Sequence, residues 1–266
     1  MNDKWHELIK RLRDMKRTAV AFSAGVDSTL LLKAAYEALG ENVLAITGKS
    51  ISFPERENRE ARAFCESLGV RPVTVEIDQM AIVGFADNPP DRCYICKKEL
   101  FTAFLKTAEE YGFTQIVEGS NIDDLSDYRP GMSALRELGV RSPLQEVGLT
   151  KAEIRALSEQ LGLPTYNKPS FACLATRFPY GVQITAEKLK SVGEAEQLLI
   201  DMGFSQVRVR VHGEVARIEI ERGQFPRIIE PEIADRITEK LNELGFLYVA
   251  LELRGYQTGS MNKTLL

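Results

Sequence analysis

Two groups of residues in this chain have types and spacings that can do chemistry. The first is Ser23-Ala24-Gly25-Val26-Asp27-Ser28, set between an apolar run and a helical pattern. A helix start of this kind presents unpaired N–H groups and a positive dipole end, which bind anions. Gly25 lets the backbone approach a phosphate closely. Ser23 and Ser28 offer hydroxyl donors, and Asp27 suits both the dipole and a Mg2+ ion. The same six residues would also serve as an ordinary helix start. They are not a G-x-x-x-x-G-K-[ST] loop, whose lysine is missing. The second group is the C-x-x-C pair Cys93 and Cys96, with Cys173 far downstream. Thiolates at that spacing converge on one metal or cluster, and three of them suit a [4Fe–4S] cluster with one iron left open. Zinc with His212 or Cys65 as fourth ligand, a redox dithiol, and plain buried thiols stand as alternatives. Cys65 shares the apolar side of a helical stretch with Ala61 and Leu68 and reads as core packing.

Two further strand ends carry polar turns. Ile46-Thr47-Gly48-Lys49-Ser50 offers Gly48 and Lys49 to a nucleotide, though Lys49 reads equally as a solvated loop lysine. Glu118-Gly119-Ser120-Asn121 closes another strand, on the edge where doubly wound sheets bind ligands. Glu118 and Gly119 are therefore candidate nucleotide or Mg2+ contacts, and turn chemistry alone also explains the motif. Arg208 and Arg210 alternate with valines and share one strand face. Taken alone, that pattern is a charged face turned to solvent.

These residues need a frame. Thr18–Phe22, Val43–Ile46, Val73–Ile77 and 115–117 read as strands. Helical patterns over Ser28–Leu39, Glu55–Leu68 and Leu100–Tyr111 alternate with them. That order implies an α/β fold with a doubly wound parallel sheet. Thr150 and Glu153 form a capping box ahead of Ile154 and Leu157, and Lys168–Tyr180 reads as loop. Beyond it, helix Thr185–Met202, two strands within QVRVRVHGEVARIEI, helix Pro231–Leu244 and a final strand suggest a smaller α+β domain with an antiparallel sheet. The expected division is 1–180 and 181–266.

The formal charge of −4 argues against a nucleic-acid partner, which leaves a basic footprint. No apolar run approaches the ~18 residues a membrane span needs. The polar start MNDKWHELIKRLRDMK lacks a signal-peptide core, so the cytoplasm is expected. In that compartment four cysteines point to metal or catalysis rather than disulfides.

The motif at 23–28 resembles the SGGxDS signature of PP-loop ATP pyrophosphatases, with Ala24 in place of its second-position glycine. If that position requires positive φ, alanine is strained there. Longer segments resemble the LarE family: SAGVDSTLLLK (23–33), TGKSISFPERE (47–57), RCYICKKELF (92–101), EGSNIDDLSDYRPG (118–131), SPLQEVGLTKAEIR (142–155), KPSFACLATRFPYG (168–181), VRVRVHGEVARIEI (207–220) and LRGYQTGSMN (253–262). They run in order along nearly the whole chain. The resemblance implies a PP-loop fold using ATP and Mg2+, with the loop gripping the β,γ-pyrophosphate. It implies a pyridinium dicarboxylate mononucleotide as substrate, adenylated and then given sulfur. It also implies a [4Fe–4S] cluster on Cys93, Cys96 and Cys173, an external sulfide source and a homo-oligomer. Arg177, Arg208 and Arg210 become candidates to hold the anionic substrate. Glu196, Asp127, Tyr128 and Arg129 are lesser ones. The competing activity is tRNA 2-thiolation by a PP-loop enzyme with a cluster. A nucleotide sensor leaves the cysteines without purpose, and an ammonia-dependent synthetase needs none.

Overall fold

The computed structural model describes residues 3–126 and 130–265. Asp127, Tyr128 and Arg129 lie outside them. The chain forms two compact units, one from Met1–Asp78 with Cys93–Ser170, the other from Gln79–Arg92 with Phe171–Leu266.

The elements, in chain order, are α1 (Asp3–Asp14), β1 (Thr18–Ala21), α2 (Val26–Leu39), β2 (Val43–Lys49), α3 (Glu55–Leu68), β3 (Arg71–Glu76), α4 (Arg92–Glu110), β4 (Ile116–Val117), α5 (Gly131–Glu137), α6 (Pro143–Glu146), α7 (Lys151–Gln160), α8 (Ala186–Asp201), β5 (Arg208–His212), β6 (Val215–Glu219), α9 (Phe225–Ile228), α10 (Pro231–Glu243) and β7 (Tyr248–Leu251). No helix among the described residues is long and apolar enough to cross a membrane.

In the first unit the strands run β3-β2-β1-β4, all parallel. Successive strand residues point to opposite faces, and the core divides accordingly. Val20 and Ala45 pack with Leu30 and Leu31 of α2, Trp5 and Leu8 of α1, Cys65 of α3 and Ile154 of α7. Ala19, Leu44 and Ile46 pack on the other side with Phe101 and Phe104 of α4. Helices on both faces of a parallel sheet make it doubly wound. The order reverses between β1 and β4, so the loops after those two strands share the crevice where such sheets bind ligands. Cys65 is fully buried, and desolvation pushes its thiol up to about 12. It is core, as the helical spacing suggests. The capping box at Thr150 and Glu153 is also present.

Helix α4 departs from the expected start at Leu100. It begins at Arg92, where the Arg92 N–H donates to the Pro89 carbonyl at 2.9 Å. The run Arg92–Lys98 lacks an apolar stripe, so its helical state leaves no periodic signal.

In the second unit the sheet order is β5-β6-β7. The antiparallel expectation holds for β5 with β6, but β7 runs parallel to β6. The reason is the connection: α9 and α10 separate the two strands, and a helical crossover returns the chain in the same direction. Gln79–Arg92 is tied into this unit. Ile184 N–H donates to Ala86 O at 2.8 Å and Gly181 N–H to Asn88 O at 2.9 Å. The buried Arg92 donates to Ala175 O at 2.9 Å and to the Asn88 amide oxygen.

Candidate functional site

The loop between β1 and α2 is built around a left-handed residue. Ala24 has φ 54 and is almost fully buried. The backbone demand for positive φ thus falls on alanine, at a cost of about 1–2 kcal/mol. Gly25 has φ −80 and needs no such freedom. Ser23 and Ser28 lie with their hydroxyls 3.2 Å apart, and the Ser28 hydroxyl donates to Gly25 O at 3.2 Å. No side-chain hydrogen bond caps α2. Its first-turn amides are the kind of unpaired donors an anion takes up.

Gly119 explains how the β4 loop meets this turn. A Cβ there would lie 3.0 Å from Ser28 N and 3.2 Å from the Asp27 carbonyl carbon, too close for any larger residue without movement. Glu118 is buried and accepts from Ser120 N–H at 3.1 Å, from the Ser120 hydroxyl at 2.8 Å, and from the Ser142 hydroxyl. Asp27 accepts from the Asn121 amide at 3.1 Å and forms an ion pair with Lys151. Gly48 leaves room for Leu100, Phe104 and Phe53, which a Cβ would meet at 3.0–3.3 Å. Lys49 is exposed and bridges to Glu76 at 2.8 Å, its register partner on β3.

Sequence reasoning did not single out Lys151 or Lys168. Lys151 is the first residue of α7, visible in sequence only as part of a helix start. Lys168 sits in the loop after α7, and its ammonium reaches Ala24 O at 3.0 Å and Glu57 at 2.7 Å.

Cys93 and Cys96 stand three apart in the first turns of α4, so they share a helical face, and both are half-buried. Cys173 belongs to the second unit. It is half-buried, and its carbonyl accepts from Thr176 N–H at 3.0 Å. None of the four cysteines is in a disulfide. Two thiols on one helical face are suitable donors for an iron–sulfur cluster. Among the described residues, however, no group of three or more His, Cys, Asp or Glu side chains is arranged to hold a metal. His212 accepts from Arg217 at 3.1 Å, and burial, then Arg217, holds its imidazole below the usual value.

The second unit buries an arginine cluster. Arg177, Arg208 and Arg210 are 1%, 2% and 5% exposed, so the alternating strand is no solvent face. Arg177 grips Glu196 with two bonds of 2.7 and 2.9 Å and donates also to Ala172 O, Cys173 O and Thr176 Oγ1. Glu196 further accepts from Val209 N–H at 2.8 Å. Arg210 donates to Glu219 at 2.8 Å, to Thr176 O and to the Ser260 hydroxyl, while its Nε is buried without a hydrogen bond. Arg208 lies over the Phe171 and Tyr256 rings and donates to Val207 O at 2.7 Å. Burial, then repulsion from Arg177, lowers its guanidinium to about 10. In the same cluster Arg217 pairs with Glu219 at 3.2 Å and with Glu252.

Residues 6–113 match the NAD synthase family model. An uncharacterised protein of Synechocystis is 41% identical over 265 residues, covering 100% of this chain and 99% of that one. The pyridinium-3,5-bisthiocarboxylic acid mononucleotide synthase of Lactiplantibacillus plantarum is 38% identical over 259 residues, 97% of this chain and 93% of the relative. A glutamine-hydrolysing GMP synthase component of Methanococcus maripaludis is 30% identical over 170 residues, 59% of this chain and 54% of that relative.

Proposed function

We propose a sulfur-inserting reaction for this chain, which belongs to the LarE family within the PP-loop class of ATP-dependent enzymes. The substrate is a pyridinium-3,5-biscarboxylic acid mononucleotide. A substrate carboxylate oxygen attacks the α-phosphorus of ATP and pyrophosphate leaves. Sulfur then attacks the carbonyl carbon of the acyl-adenylate and AMP leaves, giving a thiocarboxylate. A carboxylate is inert to this attack until its oxygen becomes part of a good leaving group.

The observation that carries the reading is the turn between β1 and α2, with an uncapped helix start, paired serine hydroxyls and Gly119 pressed against its backbone. The first-turn amides, Ser23 and Ser28 hold the β,γ-pyrophosphate and stabilise charge developing as it departs. Gly25 keeps the turn open to it, while Gly48 and Lys49 flank the nucleotide from the end of β2. Asp27 and Glu118 would hold Mg2+, which when bound neutralises charge on the triphosphate. Arg208 and Arg210 hold the anionic groups of the substrate, since guanidinium groups bind carboxylate and phosphate bidentately. Arg177 and Glu196 form the frame that fixes them. The first unit serves the nucleotide. The second serves the substrate and self-association in the cytoplasm. Cys93, Cys96 and Cys173 would hold a [4Fe–4S] cluster, which would supply sulfide for the transfer.

The test is pyrophosphate release with and without the dicarboxylated mononucleotide, with sulfide supplied anaerobically and the product read by mass spectrometry. Release should depend on that substrate and a thiocarboxylate should form. Release that ignores it, or none, would overturn the reading. Iron and labile-sulfide analysis after anaerobic purification tests the cluster separately; protein without iron even after reconstitution would remove it.

A further inference from the structure

We propose that Lys168 is a positioning residue that holds the ATP-binding turn in its left-handed form. The inference rests on the reading that this turn binds the pyrophosphate of ATP.

The lysine is held at both ends. Its ammonium has three N–H donors, and three acceptors take them: Ala24 O at 3.0 Å, Glu57 at 2.7 Å and Glu60 at 2.5 Å. Glu57 and Glu60 stand three apart on α3 and so share one face. The lysine side chain is 12% exposed and that of Glu57 14%. Its backbone is fixed too. Arg155 donates to Lys168 O at 2.9 Å and to Tyr166 O at 2.7 Å, and Lys168 N–H donates to Thr165 O at 2.9 Å. A surface lysine with a loose salt bridge shows none of this.

The contact falls where the turn needs it. Ala24 is the residue with φ 54. Left-handed backbone is disfavoured for alanine but not for glycine. The Ala24 carbonyl accepts from Lys168 immediately before Gly25, from which the chain enters α2. The ammonium, balanced by two carboxylates, therefore offsets the strain at Ala24 and pre-orders the anion site. With every donor occupied, Lys168 acts through Ala24 and not on the phosphates.

This gives a discriminating prediction. Lys168→Met should weaken binding of Mg2+ with α,β-methylene-ATP about tenfold by calorimetry, the factor that corresponds to about 1.4 kcal/mol. Adding Ala24→Gly to that variant should restore most of the affinity, because glycine takes the left-handed form without help. Ala24→Gly alone supplies the background in which Lys168→Met should lose less affinity than it does in the parent, and Lys168→Arg should lose less than Lys168→Met. In turnover, KM for ATP should rise while kcat changes little. If Lys168→Met does not fold, Glu60→Gln with and without Ala24→Gly reads the same coupling, since Glu60 is half-exposed. Unchanged affinity in Lys168→Met, or a loss that Ala24→Gly fails to repair, overturns the assignment while leaving the nucleotide reading intact. A parent protein that binds no nucleotide analogue overturns both.

Discussion

Replacing Glu196 by glutamine isolates the energetics of the buried arginine cluster. Glu196 accepts two bonds from Arg177 and one from Val209 N–H, and neither partner side chain of the ion pair is more than 4% exposed. Glutamine keeps one acceptor oxygen but turns an NH2 group toward a guanidinium. One charge-assisted bond is lost, worth roughly 1.5–3 kcal/mol, and a donor now faces a donor. The change also takes the carboxylate charge away from the buried Arg177 guanidinium. Breaking a buried pair in this way costs about 3–5 kcal/mol. At about 4 °C or more per kcal/mol for a unit of about a hundred residues, the melting midpoint of the second unit should fall by at least about 12 °C. Thermal unfolding by circular dichroism measures this, and hydrogen exchange at the Val209 amide assigns it to the right unit. The double replacement Arg177→Leu with Glu196→Leu should cost less than Glu196→Gln, since no charge is then stranded. Inorganic phosphate should raise the midpoint of Glu196→Gln more than that of the parent. A midpoint within about 2 °C of the parent would refute the claim that this pair neutralises a dry cluster.

Gly119→Ala places a methyl against Ser28 N. It should cost about 1–3 kcal/mol of stability and weaken nucleotide binding at least tenfold, read by urea titration and calorimetry. The Glu153 carboxyl is held down to about 2, first by the Lys4 ammonium and then by Thr150 N–H. Its folded value lies below the unfolded one, so its contribution is present above about 4.5 and is lost as pH falls toward 2. Glu153→Gln should therefore flatten the fall in urea midpoint between pH 5 and pH 3. Cys173→Ala should abolish thiocarboxylate formation and leave substrate-dependent pyrophosphate release within about twofold of the parent. Equal loss of both would show that the thiol serves the adenylation half.

The doubly wound sheet was legible because β1, β2 and β4 are apolar runs separated by helical spacing, and because Thr150 and Glu153 mark the start of α7. The turn proposed to bind phosphate was legible as a strand-to-helix turn for the same reason: its serines and glycine sit where β1 hands over to α2. What stayed hidden depends on contacts distant in sequence. Lys168 lies 144 positions from Ala24, and Lys151 lies 124 from Asp27. No local pattern encodes either pairing. The arginines of β5 alternate as a solvated strand would, and only the cover of Phe171, Tyr256 and Ser260 turns that side into interior. The direction of β7 is set by the helices that precede it, not by its own residues.

The second unit is assembled from two stretches separated by the Cys93–Ser170 half of the first. Gln79–Arg92 is synthesised early, yet its hydrogen-bond partners at Ala175, Gly181 and Ile184 leave the ribosome much later. Phe85, which is 1% exposed in the finished protein, belongs to this early stretch, and its unit is incomplete until they arrive. A nascent chain ending near residue 170 therefore carries a sticky loop, and a holdase or trigger-type chaperone should bind it there. The same geometry means that a clean excision of the C-terminal part for separate expression has to carry residues 79–92 with it, joined by a new linker.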